Sequence, residues 1–385
     1  MKLDKLYSLI FVVAPGASRV IVFFILSHLY TNLQFADFSS LYSFAIIISM
    51  IGSAGYSILI IKNESQLSII QLLILSIKSM IISLPFVFIF IFIFDKEVNW
   101  SLMSVILLSL GIGLNQIFRN ELILRKKFMI GCLYEGSLFI GIVSTIFICD
   151  FNFIIISYVY ILVGLIFKFI LNEESSNFEL ISTKESAIIG YSNLISSGIL
   201  FFLPIMSNNL ASNEITKIIS LIVSVVGIVS VFPRAMFNFK IKEIKDALIK
   251  KNIKQYYWYI KSFRIKTSII MFISTLLVYA YIVFVVNDML LWHVLFLTIA
   301  IALFIYIGQL SIPETTMINM IGMERLSLII NAIVFVLFSS IYFILDTSSI
   351  RSGLLAIIIL CVSIIIGYLF RMLIVNHYIR RFMIK

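Results

Sequence analysis

Residues 69–93 read IIQLLILSIKSMIISLPFVFIFIFI, a run of 25 residues with one charge, Lys78. As a helix it is about 37 Å long at 1.5 Å per residue, more than the roughly 30 Å of a bilayer's hydrocarbon core. It is apolar on every side, so it has no face for water and reads as a membrane span. Working outward in both directions, comparable runs fall at approximately 6–28, 38–61, 101–118, 129–149, 153–171, 187–206, 214–233, 267–286, 292–312, 326–345 and 352–375, making about twelve spans in all. The whole chain agrees. Of 385 residues, 61% are apolar and only 12% are charged, with mean hydropathy +1.12, where a soluble domain carries about 25% charged residues. These numbers predict an all-α polytopic membrane protein. They exclude a soluble enzyme, a secreted disulfide scaffold and a nucleic-acid-binding domain. Lys2 and Lys5 precede the first run, but its apolar stretch is too long for a signal peptide and further spans follow directly, so it reads as a retained helix.

The net charge of +10 has its explanation in the loops. With the N-terminus inside, the inner segments hold 22 of the 29 Lys and Arg, and the outer ones hold only Lys96 and Arg351. The outer loops carry Asp37, Asp95, Glu97, Asp150, Glu214, Asp288 and Asp346. This positive-inside bias places both termini in the cytoplasm. The two longest connections are also inside: acidic 172–186, with Glu173, Glu174, Glu179 and Glu185, and basic 234–266, with ten Lys and Arg. The first divides the chain into six-span halves, an N-terminal lobe over 1–171 and a C-terminal lobe over 187–385, the arrangement of many transporters built around a central cavity. Within the second connection, 240–261 (KIKEIKDALIKKNIKQYYWYIK) reads as an amphipathic helix on the inner membrane surface. Pro15 and Pro204 lie in the first span of each half, where a missing N–H predicts a kink suited to two lobes that rock around a cavity; the equal alternative is that Pro is simply common in membrane helices.

Ionisable groups inside spans carry the functional information, because each costs about 2.5–3.5 kcal/mol at the bilayer centre on insertion scales. Lys168 and Arg371, near cytoplasmic span ends, and Lys217, near the outer face, are expected to snorkel to the surface. That leaves Arg19, Lys78 and Glu135. Arg19 lies about 13 residues into the first span, so about 20 Å deep. Lys78 and Glu135 sit at comparable depths on the cytoplasmic side, Glu135 as the one carboxylate expected well inside a span. Two cations and one carboxylate make a net positive site suited to a phosphate-bearing ligand, with Arg19 offering the bidentate fork and Glu135 a group for proton or ion coupling. The alternative is structural: a Lys78–Glu135 ion pair, with Arg19 bonded to carbonyls loosened near Pro15. Asn115, Gln116, Asn120 and Gln309 read first as helix-packing groups; Asn193, Ser196, Ser197 and Asn331 are the neutral polar groups of the second half.

Other chemistry finds no residues to carry it. Cys132, Cys149 and Cys361 are far apart with no CxxC spacing, and His28, His293 and His377 are scattered near span ends, so no metal site is expected. No phosphate-binding GxxxxGK[ST], zinc-binding HExxH or nucleophile GxSxG occurs, and no cofactor is expected.

Three stretches carry a family resemblance. SRVIVFFILSHLYTNLQFADFSSLYSFAIIISMIGSAGYSILI from Ser18, RNELILRKKF from Arg119 and INMIGMERLSLIINAI from Ile318, set in twelve spans with short outer loops, are similar to the first helical pair and to the turns after the fourth and tenth helices of the multidrug/oligosaccharidyl-lipid/polysaccharide exporter superfamily. Within it the chain most resembles the O-antigen and capsule-repeat (Wzx-like) flippases. The resemblance spans nearly the whole chain as a pattern. It implies two six-helix bundles around a central cavity in a bacterial inner membrane. The implied substrate is an undecaprenyl-diphosphate oligosaccharide turned from the inner to the outer leaflet. The implied partners are membrane lipids and the polymerase and chain-length regulator of the same pathway. Arg19 falls where such flippases often place a basic residue. A mid-membrane cation in the second half, which they often have, is missing from the sequence reading. Two alternatives stand beside the flippase: an O-antigen polymerase, which would need a large basic outer loop, and a drug–cation antiporter of the same fold, which would favour acidic cavity residues.

Overall fold

The computed structural model describes residues 2–93, 100–149, 152–171, 178, 181–194, 198–286, 291–321, 323–347 and 353–384. Among them the chain forms fifteen α-helices. Eleven are long and apolar enough to cross a membrane. The seventh expected span, 187–206, is described as α7 (Thr183–Asn193) and α8 (Ile199–Leu210); Ser196 and Ser197 lie outside the described residues. These two helices and the eleven long ones stand where twelve spans were expected.

The helices sort into two compact units. The first comprises Met1–Ser18 and Ser40–Leu194, the second Arg19–Ser39 and Ile195–Lys385. Thus α1 (Lys2–Leu29) and α2 (Asn32–Lys62) each contribute to both, as does the seventh span, α7 to the first and α8 to the second.

In unit 1, α4 (Trp100–Leu124) packs chiefly along α6 (Phe153–Leu171) and also on α3 (Ile69–Ile93), and α5 (Phe128–Cys149) packs on α6. Phe11, Tyr56, Leu114, Phe118, Leu122 and Tyr134 form its buried cluster. Without a hydrophobic drive between helices in lipid, close approach through small residues does the joining. Gly190 of α7 meets α2 so closely that a Cβ there would lie 1.8 Å from the Ile51 carbonyl oxygen. This anchors α7 to unit 1.

Unit 2 holds α8, α9 (Asn213–Val229), α10 (Val231–Ile249), α11 (Ile253–Val285), α12 (Leu291–Leu310), α13 (Ile312–Met320), α14 (Glu324–Thr347) and α15 (Gly353–Ile384). The principal contacts are α12 with α15 and α11, α14 with α15, α10 with α11 and α8 with α9. The basic connection 234–266 is helical, not a loop. Its segment 240–261 is not a single surface helix but the two arms of a hairpin, α10 and the start of α11. The turn is made by Lys251, whose φ of 53° is left-handed, and by Asn252, whose side chain accepts the Gln255 N–H and caps α11. Ile244 and Leu248 of one arm and Tyr256 and Ile260 of the other face each other in a buried cluster with Phe237 and Phe263. Apolar side chains expected to enter the membrane interface therefore bury in protein, which hides more apolar surface than a headgroup layer does. Trp258 stays largely exposed, at 64%.

Candidate functional site

Arg19 begins the part of α1 that packs with unit 2. Its side chain is half-buried. Nη2 donates to the Ser224 carbonyl of α9 at 3.4 Å, and the guanidinium carbon stands 5.1 Å from the Phe201 ring of α8. Gly227, one turn along α9, leaves the room: a Cβ there would fall 1.9 Å from Nη2. A carbonyl and an aromatic face hold the planar cation while keeping its charge, worth roughly 1–2 kcal/mol for the ring contact when desolvated.

Lys78 and Glu135 are not brought together. Glu135, 4% exposed, pairs with Nε of Arg119 at 2.7 Å, and Lys78 is exposed on α3. Arg119 does a second thing. Pro15 has no N–H, so the carbonyl four residues back, on Phe11, loses its helical donor. Arg119 Nη2 donates to that oxygen at 3.1 Å, and its guanidinium carbon lies 5.1 Å from the Phe11 ring. The loosened carbonyl near Pro15 is thus served by Arg119 rather than by Arg19. One side chain ties α4 to α1 and α5, and α1 runs unbroken through Pro15. Pro204 lies within α8, six residues past its N-cap, Gly198.

The snorkelling expectation fails for Lys168 and Arg371. Lys168 is 2% exposed and donates to Glu121 at 2.7 Å. Glu121 also takes Arg125 and the Leu67 N–H, at 3.1 Å. Arg371, 3% exposed, donates to Asn331 at 3.0 Å and to Ser311 at 2.5 Å, over the Tyr368 ring at 4.5 Å. Glu314, 1% exposed, is bound by Arg264. Both ends of these side chains find partners inside the protein, which a long stem bent toward solvent would forfeit. Lys217, by contrast, is half-buried, its ammonium donating to Asn32 at 3.2 Å.

Sequence reasoning missed Glu121 and Glu314 because both stand just past the apolar runs, where a carboxylate reads as solvated. A signal was present. Gln116 and Glu121 are five residues apart, as are Gln309 and Glu314, and Glu121 is followed by Arg125, Lys126 and Lys127. Gln116 accepts from Ser53 at 2.6 Å, joining α4 to α2, and Asn120 donates back to the Gln116 carbonyl at 2.8 Å. The second unit does hold a buried cation, Arg371, contrary to the expectation that its spans offer only neutral groups.

No family model matches the sequence, and no curated protein matches it. Solved structures do. The inward-facing structure of a multidrug resistance MATE family transporter of the MOP superfamily is similar over 98% of this chain and 96% of its own, at 14% identity and TM-score 0.53. The outward-facing structure of such a transporter covers 98% and 97%, at 14% identity and TM-score 0.52. MATE in complex with MaD5 covers 98% and 96%, at 12% identity and TM-score 0.52. The all-helical, two-unit chain therefore has the fold of these membrane transporters.

Proposed function

We propose that this chain, whose fold is that of MATE transporters, is a flippase for an undecaprenyl-diphosphate-linked oligosaccharide in a bacterial inner membrane. Arg19 carries the reading. A guanidinium about 20 Å into the first span is costly unless it serves a ligand or a structural partner, and a half-buried fork held by a carbonyl and a ring keeps the charge a diphosphate needs. Lys78, exposed on α3, is the other cation proposed to meet a diphosphate. Glu135 is the proposed coupling group; proton uptake there would release Arg119.

The experiment is reconstitution in vesicles with a fluorescent undecaprenyl-diphosphate oligosaccharide. Arg19→Ala is expected to abolish its reorientation with protein yield unchanged, and Arg19→Lys to retain part of it. Full activity of Arg19→Ala would remove the site. The likeness to multidrug transporters supports a second reading, drug–cation antiport. Uptake of an organic cation in the same vesicles, with no reorientation of the lipid, would favour it. As a flippase, the chain would act beside a polymerase and a chain-length regulator.

A further inference from the structure

The two arms of the basic hairpin in unit 2 enclose a pocket of about 450 Å³, within the 300–1,000 Å³ of small-molecule sites. Its floor is Phe237, Ile244 and Phe263, all buried. Its rim is polar: Lys240 from α10, and Tyr259, Ser262 and Lys266 from α11, with Trp258 beside them. One carboxylate, Glu243, is also on the rim and takes the Lys240 ammonium at 2.7 and 2.9 Å. An apolar floor under a cationic rim fits an amphiphile with a negative head.

Helix length places the pocket at the right depth. α11 has 33 residues, Ile253–Val285, and a span needs about 20. Counted back from Val285, about 20 residues reach Lys266. The turns before it therefore project beyond the hydrocarbon into the headgroup layer on the basic side of the membrane. Trp258, 64% exposed, lies eight residues before Lys266, about 12 Å along the helix, on the water side of that boundary, and Ile249, Ile253 and Ile265 of the same two helices are also exposed. Lysines at this level attract anionic lipid.

We propose that this pocket is a binding site for an anionic phospholipid. The phosphate lies between Lys240 and Lys266, the first carbons of the chains rest on Phe237 and Phe263, and Trp258 lines the pocket's outer end. The site is separate from Arg19, and its assignment does not depend on which cargo the protein moves.

The test uses the full chain in detergent with Trp100→Phe and Trp292→Phe, so that only Trp258 fluoresces, titrated with brominated phosphatidylglycerol or brominated phosphatidylcholine. Quenching by the anionic lipid is expected at a concentration roughly fivefold lower, the effect of one net basic charge, because Glu243 offsets that of Lys240. Lys240→Gln with Lys266→Gln should erase that preference. Lys250→Gln with Lys251→Gln, the same charge loss at the hairpin turn outside the pocket, should leave most of it. Equal quenching by the two lipids overturns the proposal. So does an equal loss in both double variants, which would mean a diffuse basic surface rather than a site. Circular dichroism of each variant confirms that the exposed substitutions leave the fold intact.

Discussion

Replacing Glu121 tests whether the buried charges of unit 1 are a fastener rather than part of a transport path. Its carboxylate is fully buried and accepts from Lys168 at 2.7 Å, from Arg125 and from the Leu67 N–H on the α2–α3 connection at 3.1 Å. Glu121→Leu would leave a 1% exposed ammonium and an Arg without their counter-charge. Breaking such a pair from one side costs about 3–5 kcal/mol. At about 2–4 °C per kcal/mol for a unit of this size, the apparent melting temperature should fall by roughly 6–20 °C. Lys168→Met alone should cost less, because Arg125 still meets the carboxylate. The double variant should recover part of the loss, since replacing both members of a buried pair by apolar groups is often close to neutral. The assay is thermal unfolding followed by size exclusion in detergent, with lipid reorientation measured per folded molecule. A Glu121→Leu loss under about 1 kcal/mol, the ceiling for an exposed pair, would refute the buried-fastener argument. A lost transport rate at undiminished stability would do the same.

Three further outcomes follow from the geometry. Gly227→Val places carbon where Arg19 Nη2 now lies, 1.9 Å from the added Cβ; headgroup binding should weaken as in Arg19→Ala while the melting temperature changes little, and unchanged binding would show that the guanidinium position is immaterial. Arg119→Met strands both Glu135 and the Phe11 carbonyl and should cost about 3–5 kcal/mol; adding Pro15→Ala restores an N–H for that carbonyl and should return about 1 kcal/mol, measured by the same thermal assay. Lys240 holds the Glu243 carboxyl below its usual range by hydrogen bonding. The pair's small contribution is therefore fully present above the usual carboxylate pKa and is lost as pH falls through the lowered one, so Glu243→Gln should differ from the parent chain equally at pH 6 and pH 8 and converge with it only in strong acid.

Much of the architecture is written in composition. Runs such as 69–93 have no polar face, so they cross the membrane whatever their neighbours do, and their alternation with basic segments sets the expected count. The hairpin over 240–261 was misread because an amphipathic period tells which face is apolar, not whether lipid or a second helix covers it.

For the charged groups the division is sharper. Sequence depth singled out Arg19, Lys78 and Glu135, because the price of burying a charge depends on distance from water. It paired them wrongly, giving Glu135 to Lys78, because partnership depends on which helix faces which. Arg119 reaches Glu135 and the carbonyl that Pro15 sets free only when α1, α4 and α5 pack together. Lys168 and Arg371 looked free to reach a surface until packing put Glu121, Ser311 and Asn331 beside them. The chain alone determined that this protein lives in a membrane and which charges are expensive there, since hydropathy is a local property of consecutive residues. Only the tertiary structure decided how each charge is met, since a counter-charge dozens of residues away becomes a neighbour through helix packing, which no local pattern records.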